Sequence, residues 1–116
     1  MAKHLLQGKE AEALAANYLI KNNYQILDKN YRRGRSEVDI IAQKSGFVIF
    51  VEVKSLQAKG GIYPEQQVTR DKIFQVQAAA NVYQYENKYK GNIRFDIIAI
   101  TFFTKHSEIE HFKDAF

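Results

Sequence analysis

The sequence contains no cysteine, one proline (Pro64), six glycines and three histidines in 116 residues. Without thiols there can be no disulfide, thiolate zinc site, iron–sulfur cluster or cysteine nucleophile. The same absence suits a reducing compartment. The longest apolar run, Phe47 to Val51, falls far short of the ~20 residues that span a bilayer. The first ten residues lack the apolar segment of a secretory signal. A cytoplasmic protein with no membrane partner is therefore expected. His4, His106 and His111 lack metal-ligand spacing, which points to structural or solvent-exposed roles. Any metal held by this chain should be bound by oxygen.

What is present fits one folded domain over residues 1–116. Hydrophobic residues make up 46% and charged residues 26%, too apolar for a disordered chain. No repeat, low-complexity tract or interdomain linker interrupts it. The net charge of +4 is unevenly placed. Residues 1–36 hold seven Lys and Arg against three acids, whereas the remainder balances at ten of each. The surplus peaks at Lys29, Arg32, Arg33 and Arg35, a basic patch that can attract phosphate or serve only as a solvated face.

Periodicity gives the element order. Ala11, Leu14, Ala15, Tyr18 and Leu19 recur at helical spacing and predict a helix over residues 5–22, ended by Asn22-Asn23. Residues 24–31 alternate as a first strand, and Arg32-Arg33-Gly34-Arg35 reads as a loop. Residues 37–42 and 46–54 are rich in Val, Ile and Phe and form a hairpin signal around Gln43-Lys44-Ser45. Ala58 to Gln67 reads as a loop. Thr69 can cap a helix running to about Lys88, with Ile73, Val76, Ala80 and Tyr83 as its inner stripe. Strands over 93–102 and 108–112 complete the order α-β-β-β-α-β-β, an α/β class with a mixed sheet flanked by helices.

The hairpin carries the chemistry. Strand side chains alternate, so Glu52 and Lys54 share a face, as do Glu37, Asp39 and Ile41. A turn at Lys44-Ser45 sets Glu37 opposite Glu52; a turn at Ser45-Gly46 sets Asp39 opposite Glu52. Either register gathers Asp39, Glu52 and Lys54 on one face. Such a cluster is costly to bury unless a cation neutralises the acids. Mg²⁺ suits this role, since one or two carboxylates with waters and substrate phosphate commonly hold it. Asp39 and Glu52 would be the ligands, and Lys54 would orient water or offset developing charge. The alternative is a solvated strand edge bearing a salt bridge. Glu86-Asn87-Lys88 repeats the Glu-x-Lys spacing at a predicted helix end, without a carboxylate strand beside it. Phe47 to Val51, apolar on both faces, favours an interior strand whose charged end projects into a site.

Ser36-Glu37-Val38-Asp39-Ile40-Ile41-Ala42, followed by Phe50-Val51-Glu52-Val53-Lys54, closely resembles the signature of the YraN-like uncharacterised protein family. Ala11 to Leu19, Asn30-Tyr31-Arg32, Arg94-Phe95-Asp96 and His111 to Phe116 extend the resemblance over nearly the whole chain. That family resembles the PD-(D/E)xK nuclease superfamily, including the archaeal Holliday junction resolvases. The resemblance implies a restriction-endonuclease-like fold and a Mg²⁺-dependent endonuclease (Mn²⁺ serving as well) acting on DNA, with branched or structured DNA as substrate. The alternative is a non-catalytic nucleic-acid-binding module on a nuclease scaffold. It further implies that Glu12, on the first helix, joins Asp39 and Glu52 at the metal, with Lys54 as the catalytic lysine. Ser36 stands where the family usually has Gly, and Val38 where the superfamily's name has proline; neither change removes a ligand.

Arg32, Arg33 and Arg35 are expected to contact DNA phosphates, since guanidinium suits phosphate bidentately. The family resemblance further implies that Lys72, near the start of the second long helix where the family tends to have a lysine, reaches a phosphate; the alternative is a surface lysine. Tyr83, Tyr85 and Tyr89 are expected to pack at the core and rim. Asp96 suggests a buried, paired acid. A two-fold symmetric junction would favour a homodimer.

Overall fold

The computed structural model describes residues 3–58 and 68–116. The loop expected over Ala58–Gln67 lies, from residue 59 on, outside the described residues, as does the side chain of His4.

Helix α1 (Lys3–Lys21) is followed by strands β1 (Gln25–Arg33), β2 (Ser36–Lys44) and β3 (Phe47–Gln57), helix α2 (Arg70–Glu86), and strands β4 (Asn92–Phe102) and β5 (Ser107–Phe112). The order is the expected α-β-β-β-α-β-β. The strands form one mixed sheet in the order β1-β2-β3-β4-β5. All neighbours are antiparallel except β3 and β4, which α2 connects as a parallel pair.

The two helices lie on opposite faces of the sheet. Ala11, Ala15, Ala16 and Leu19 of α1 pack against Ile40, Ala42, Ile49, Val51, Ile98 and Ile100. Val76, Ala79 and Ala80 of α2 pack against Tyr31, Val38, Ile41, Val48 and Phe50. Alanine at the buried helix positions lets each backbone approach the branched side chains of the sheet. Strand β3 supplies both cores, Ile49 and Val51 to one and Val48 and Phe50 to the other. This accounts for its unbroken apolar run.

Turn chemistry fixes the registers. The β2–β3 hairpin turns at Ser45-Gly46, with φ of +52° and +82°, and pairs Lys44 with Phe47. Two consecutive left-handed residues define a type I′ turn, whose twist matches the flanking strands. The β1–β2 turn is tighter than the expected four-residue loop. Arg32 and Arg33 belong to β1, Arg33 pairs with Ser36, and only Gly34-Arg35 turn. Gly34 makes this possible at φ +62°, which a side chain would resist. Asn23, at φ +68°, ends α1 as a left-handed cap, and the Tyr24 N–H returns to the Leu19 carbonyl at 2.9 Å.

The Tyr31 hydroxyl donates to Glu86 at 2.5 Å, while Arg33 grips the same carboxylate and stacks 4.2 Å from the Tyr31 ring. These contacts fasten the last turn of α2 to β1. The hydroxyl's burial and its bond to Glu86 push the Tyr31 pKa up to about 12.

Candidate active site

The β2–β3 register follows the Ser45-Gly46 turn down to Ile40 opposite Val51, where the ladder ends. Asp39 and Glu52 are the next residues on the two strands. There a side chain takes over from the main chain: Asp39 Oδ2 accepts the Val53 N–H at 2.8 Å. The two strands thus remain tied while their backbones part. Asp39 is 7% exposed and Glu52 6% exposed, although both are acids.

Strict alternation does not survive at this point. Ile40 belongs to the α1-side core, yet Val38 and Ile41 both belong to the α2-side core. The shift lies beside Asn30, whose φ is +52° between the pairs Lys29–Ile40 and Tyr31–Val38. Asparagine enters this left-handed region more readily than bulkier residues. The kink at β1 therefore accompanies the turn of Asp39 toward β3. A sequence pattern with a period of two contains no sign of it.

Glu52 continues the α2-facing row of Val48 and Phe50 on β3, and Lys54 follows two residues on. Lys72, in the first turn of α2, places Nζ 3.7 Å from Glu52 Oε2. The capping residue Thr69 sets that turn by accepting the Lys72 N–H at 3.1 Å, as its sequence position predicts. Glu52 Oε1 is buried and has no hydrogen-bond partner among the described residues. Burial, followed by the charge and hydrogen bonding of Asp39, pushes the Glu52 carboxyl up to about 9, while Lys72 and Lys54 pull it down. Two acids and two lysines therefore share one electrostatic environment.

Glu12 reaches this environment from α1. It is half-buried, and its pKa is raised by burial and by the charge of Asp39, with the Asn30 side chain opposing. Among the described residues, no group of three or more His, Asp or Glu side chains converges closely enough to hold a metal by itself. The donor set nevertheless fits a hard divalent cation. Two buried carboxylates stand together, one with an unpartnered oxygen, and Mg²⁺ typically keeps several waters while taking one or two such ligands.

The three arginines lie at the end of β1 and in the turn that follows it. Arg32 pairs with Glu37, and Arg33 Nη2 pairs with Glu86 at 2.9 Å. Two of the three guanidiniums thus answer carboxylates of this chain. Arg35 is exposed in the β1–β2 turn. Tyr83 and Tyr89 pack against the α2-side core, but Tyr85 is 85% exposed and belongs to neither core nor rim.

A second buried polar cluster lies on the α1 side of the sheet, away from Glu52. Asp96 is fully buried and accepts from Arg94 Nε and Nη2, both at 2.8 Å, and from the Asp114 N–H at 3.0 Å. His111 Nε2 lies 2.7 Å from Asp96 Oδ2, and its Nδ1 lies 3.1 Å from the Tyr18 hydroxyl. An ionised carboxylate only accepts, which assigns the imidazole proton to Nε2. The buried, paired character expected of Asp96 holds. Its partners escaped the sequence reading, although Arg94 and Asp96 at i and i+2 in an otherwise apolar strand were a usable signal. His111 is structural, as expected; His106 is exposed beside Glu108.

Fold and site together define a mixed α/β protein whose central hairpin opens onto a buried Asp–Glu pair flanked by lysines. The profile of the uncharacterised protein family UPF0102 matches residues 11–100 of the chain. The chain belongs to that family, the same YraN family its motifs resemble. A UPF0102 protein of Bacteroides fragilis is 40% identical over 116 residues, covering 100% of this chain and 96% of the relative. One from Persephonella marina is 38% identical over 112 residues, covering 96% and 93%. One from Thermotoga petrophila is 36% identical over 109 residues, covering 94% and 95%. Among the described residues, no helix is long and apolar enough to cross a membrane.

Proposed function

We propose that this protein is a divalent-metal-dependent endonuclease that hydrolyses phosphodiester bonds in branched or structured DNA. The observation that carries the proposal is the buried Asp39–Glu52 pair with its unpartnered Glu52 oxygen, next to Lys54. Two acids buried together are unfavourable unless something positive completes them. Asp39 and Glu52 would hold Mg²⁺ or Mn²⁺, and Glu12 lies within electrostatic reach from α1. When bound, the cation would supply Lewis acidity toward a phosphate oxygen and a more acidic water.

The chain's own residues would do the rest. Val53 holds Asp39 through its main-chain N–H, so the carboxylate is oriented before any ligand arrives. Lys54, half-buried on the row of Glu52, would place its ammonium beside the scissile phosphate and balance charge there. Arg35, exposed in its turn, would meet the phosphate backbone. Arg32 and Arg33, exposed at the end of β1 and paired with Glu37 and Glu86, would turn from these weak surface pairs to phosphate when DNA arrives. A junction with two-fold symmetry would be met by two copies of the chain, each bringing one site. A DNA substrate and a cysteine-free sequence agree with a cytoplasmic setting.

The test uses linear, nicked, flap and four-way DNA, with Mg²⁺, Mn²⁺ or chelator. Metal-dependent cleavage is expected of the wild type and not of Lys54→Ala. No cleavage by the wild type on any of these substrates would overturn the enzyme. Tight, salt-sensitive binding without cleavage would instead establish a non-catalytic nucleic-acid-binding module.

A further inference from the structure

We infer that Lys72 is an exchangeable counterion. It neutralises the ionised Glu52 carboxylate until a divalent cation takes its place, and only then is its ammonium delivered to a DNA phosphate. The inference rests on the nuclease proposal and adds to it a coupling between metal and substrate.

Three observations support the exchange. The Lys72–Glu52 distance of 3.7 Å is an ion pair without a hydrogen bond, so the ammonium is held by charge alone. The pair is also unequal in burial: the Glu52 side chain is 8% exposed and the Lys72 side chain 30% exposed. The acid is fixed in the sheet, whereas the lysine, on four methylenes, has an open route to solvent. Finally, Glu52 Oε1 has no partner among the described residues, so the lysine leaves half of the carboxylate unanswered.

A divalent cation bound directly to Glu52 would bring twice the charge to a shorter distance. Two cations on one carboxylate repel each other, and the more weakly held one leaves. Lys72 is anchored at the α2 N-terminus by the Thr69 cap. Its backbone therefore stays in place while the side chain swings, and the released ammonium remains beside the site. A substrate phosphate is the anion available to it there. Metal binding thereby creates a phosphate contact that was previously internal, and DNA and metal favour each other's binding.

The experiment measures DNA affinity against salt for a four-way junction above about pH 9, where Glu52 is ionised, in chelator and in Ca²⁺, another hard cation with oxygen ligands. In wild type, the slope of log affinity against log salt should steepen by about one on adding Ca²⁺, as one more phosphate is neutralised. Lys72→Met should bind DNA like wild type in chelator and about tenfold more weakly in Ca²⁺, within the usual 5–150-fold of a site-to-site coupling. Glu52→Gln should release the lysine without metal, strengthening DNA binding in chelator. Adding Lys72→Met should abolish that gain. Circular dichroism of each variant separates these effects from unfolding. Equal weakening by Lys72→Met in chelator and in Ca²⁺ would overturn the exchange and make Lys72 a constant phosphate contact. No weakening in either condition would overturn it as well. Both outcomes leave cleavage by the wild type untouched, so the nuclease proposal would stand. A wild type that binds no DNA under any condition overturns both.

Discussion

Glu52→Gln should make the protein markedly more stable above neutral pH while abolishing metal-dependent cleavage. In the unfolded chain, this carboxyl titrates near its ordinary value of 4.5. In the fold, burial and then Asp39 push it up to about 9. Between these values the folded protein keeps a proton that the unfolded chain has released. The stability linked to Glu52 is therefore full below about pH 4.5 and is lost as pH rises toward about 9. Each pH unit in that window is worth about 1.4 kcal/mol, so the wild type gives up several kcal/mol that the amide variant retains. Urea denaturation of both proteins at pH 5 and pH 9 in chelator measures the difference. Mg²⁺ added at pH 9 should restore the wild type and leave the variant unchanged. Parallel pH profiles for the two proteins would contradict this account of the site. Stability gained at the expense of chemistry is the mark of a functional group held under strain.

Asp39, Glu52 and Lys54 were legible from the sequence because a hairpin of apolar strands leaves few registers. One of the two registers considered, with the turn at Ser45-Gly46, is the observed one. The element order was equally legible, since each segment carries a clear period. Contacts between distant segments were not. Lys72 reaches Glu52 only because α2 crosses that end of β3, and no local pattern encodes the crossing. Glu86 lies 53 residues from Arg33, so the basic patch looked freer than it is. Asn30 was hidden for another reason. A single left-handed residue inside a strand leaves the hydrophobic pattern almost intact while redirecting its neighbours.

The second large effect concerns the other buried acid. Asp96→Ala should cost about 3–5 kcal/mol, the range for removing one partner from a buried ion pair. Arg94 would lose its carboxylate, and His111 Nε2 and the Asp114 N–H would lose their acceptor. That is a large part of the roughly 5–15 kcal/mol that holds a typical domain together. Burial pushes the Asp96 carboxyl up, but hydrogen bonds from His111, Arg94 and the Asp114 N–H outweigh it and hold the pKa below its ordinary 3.8. Its contribution is thus present above about pH 3.8 and is lost as pH falls through the lower folded value. Chemical denaturation at pH 7 measures the loss. Asp96→Asn, which keeps the volume and one acceptor, should fall between wild type and alanine. A cost below about 1 kcal/mol for alanine, the size of an ordinary hydrogen bond, would mean that the cluster does not brace the sheet. Asp96 and Glu52 therefore set opposite pH limits on stability: acid threatens the contribution of one and alkali that of the other.

The hairpin turn at Ser45-Gly46 also implies an order of events in time. Lys44 and Phe47 are adjacent across it, whereas Phe47 must find Asn92, 45 positions along the chain. Hairpins close in roughly 1–10 μs, and pairings between distant segments come later. Asp39 and Glu52 are thus brought together before α2 delivers Lys72. The nascent chain meets the repulsion of its two carboxylates first and the compensating ammonium afterwards. Raising the pH should therefore slow refolding at least as much as it quickens unfolding. A refolding rate unmoved by pH would instead place hairpin closure after the arrival of the helix. The pair that marks the candidate site is, in this sense, also a kinetic gate on the fold that contains it.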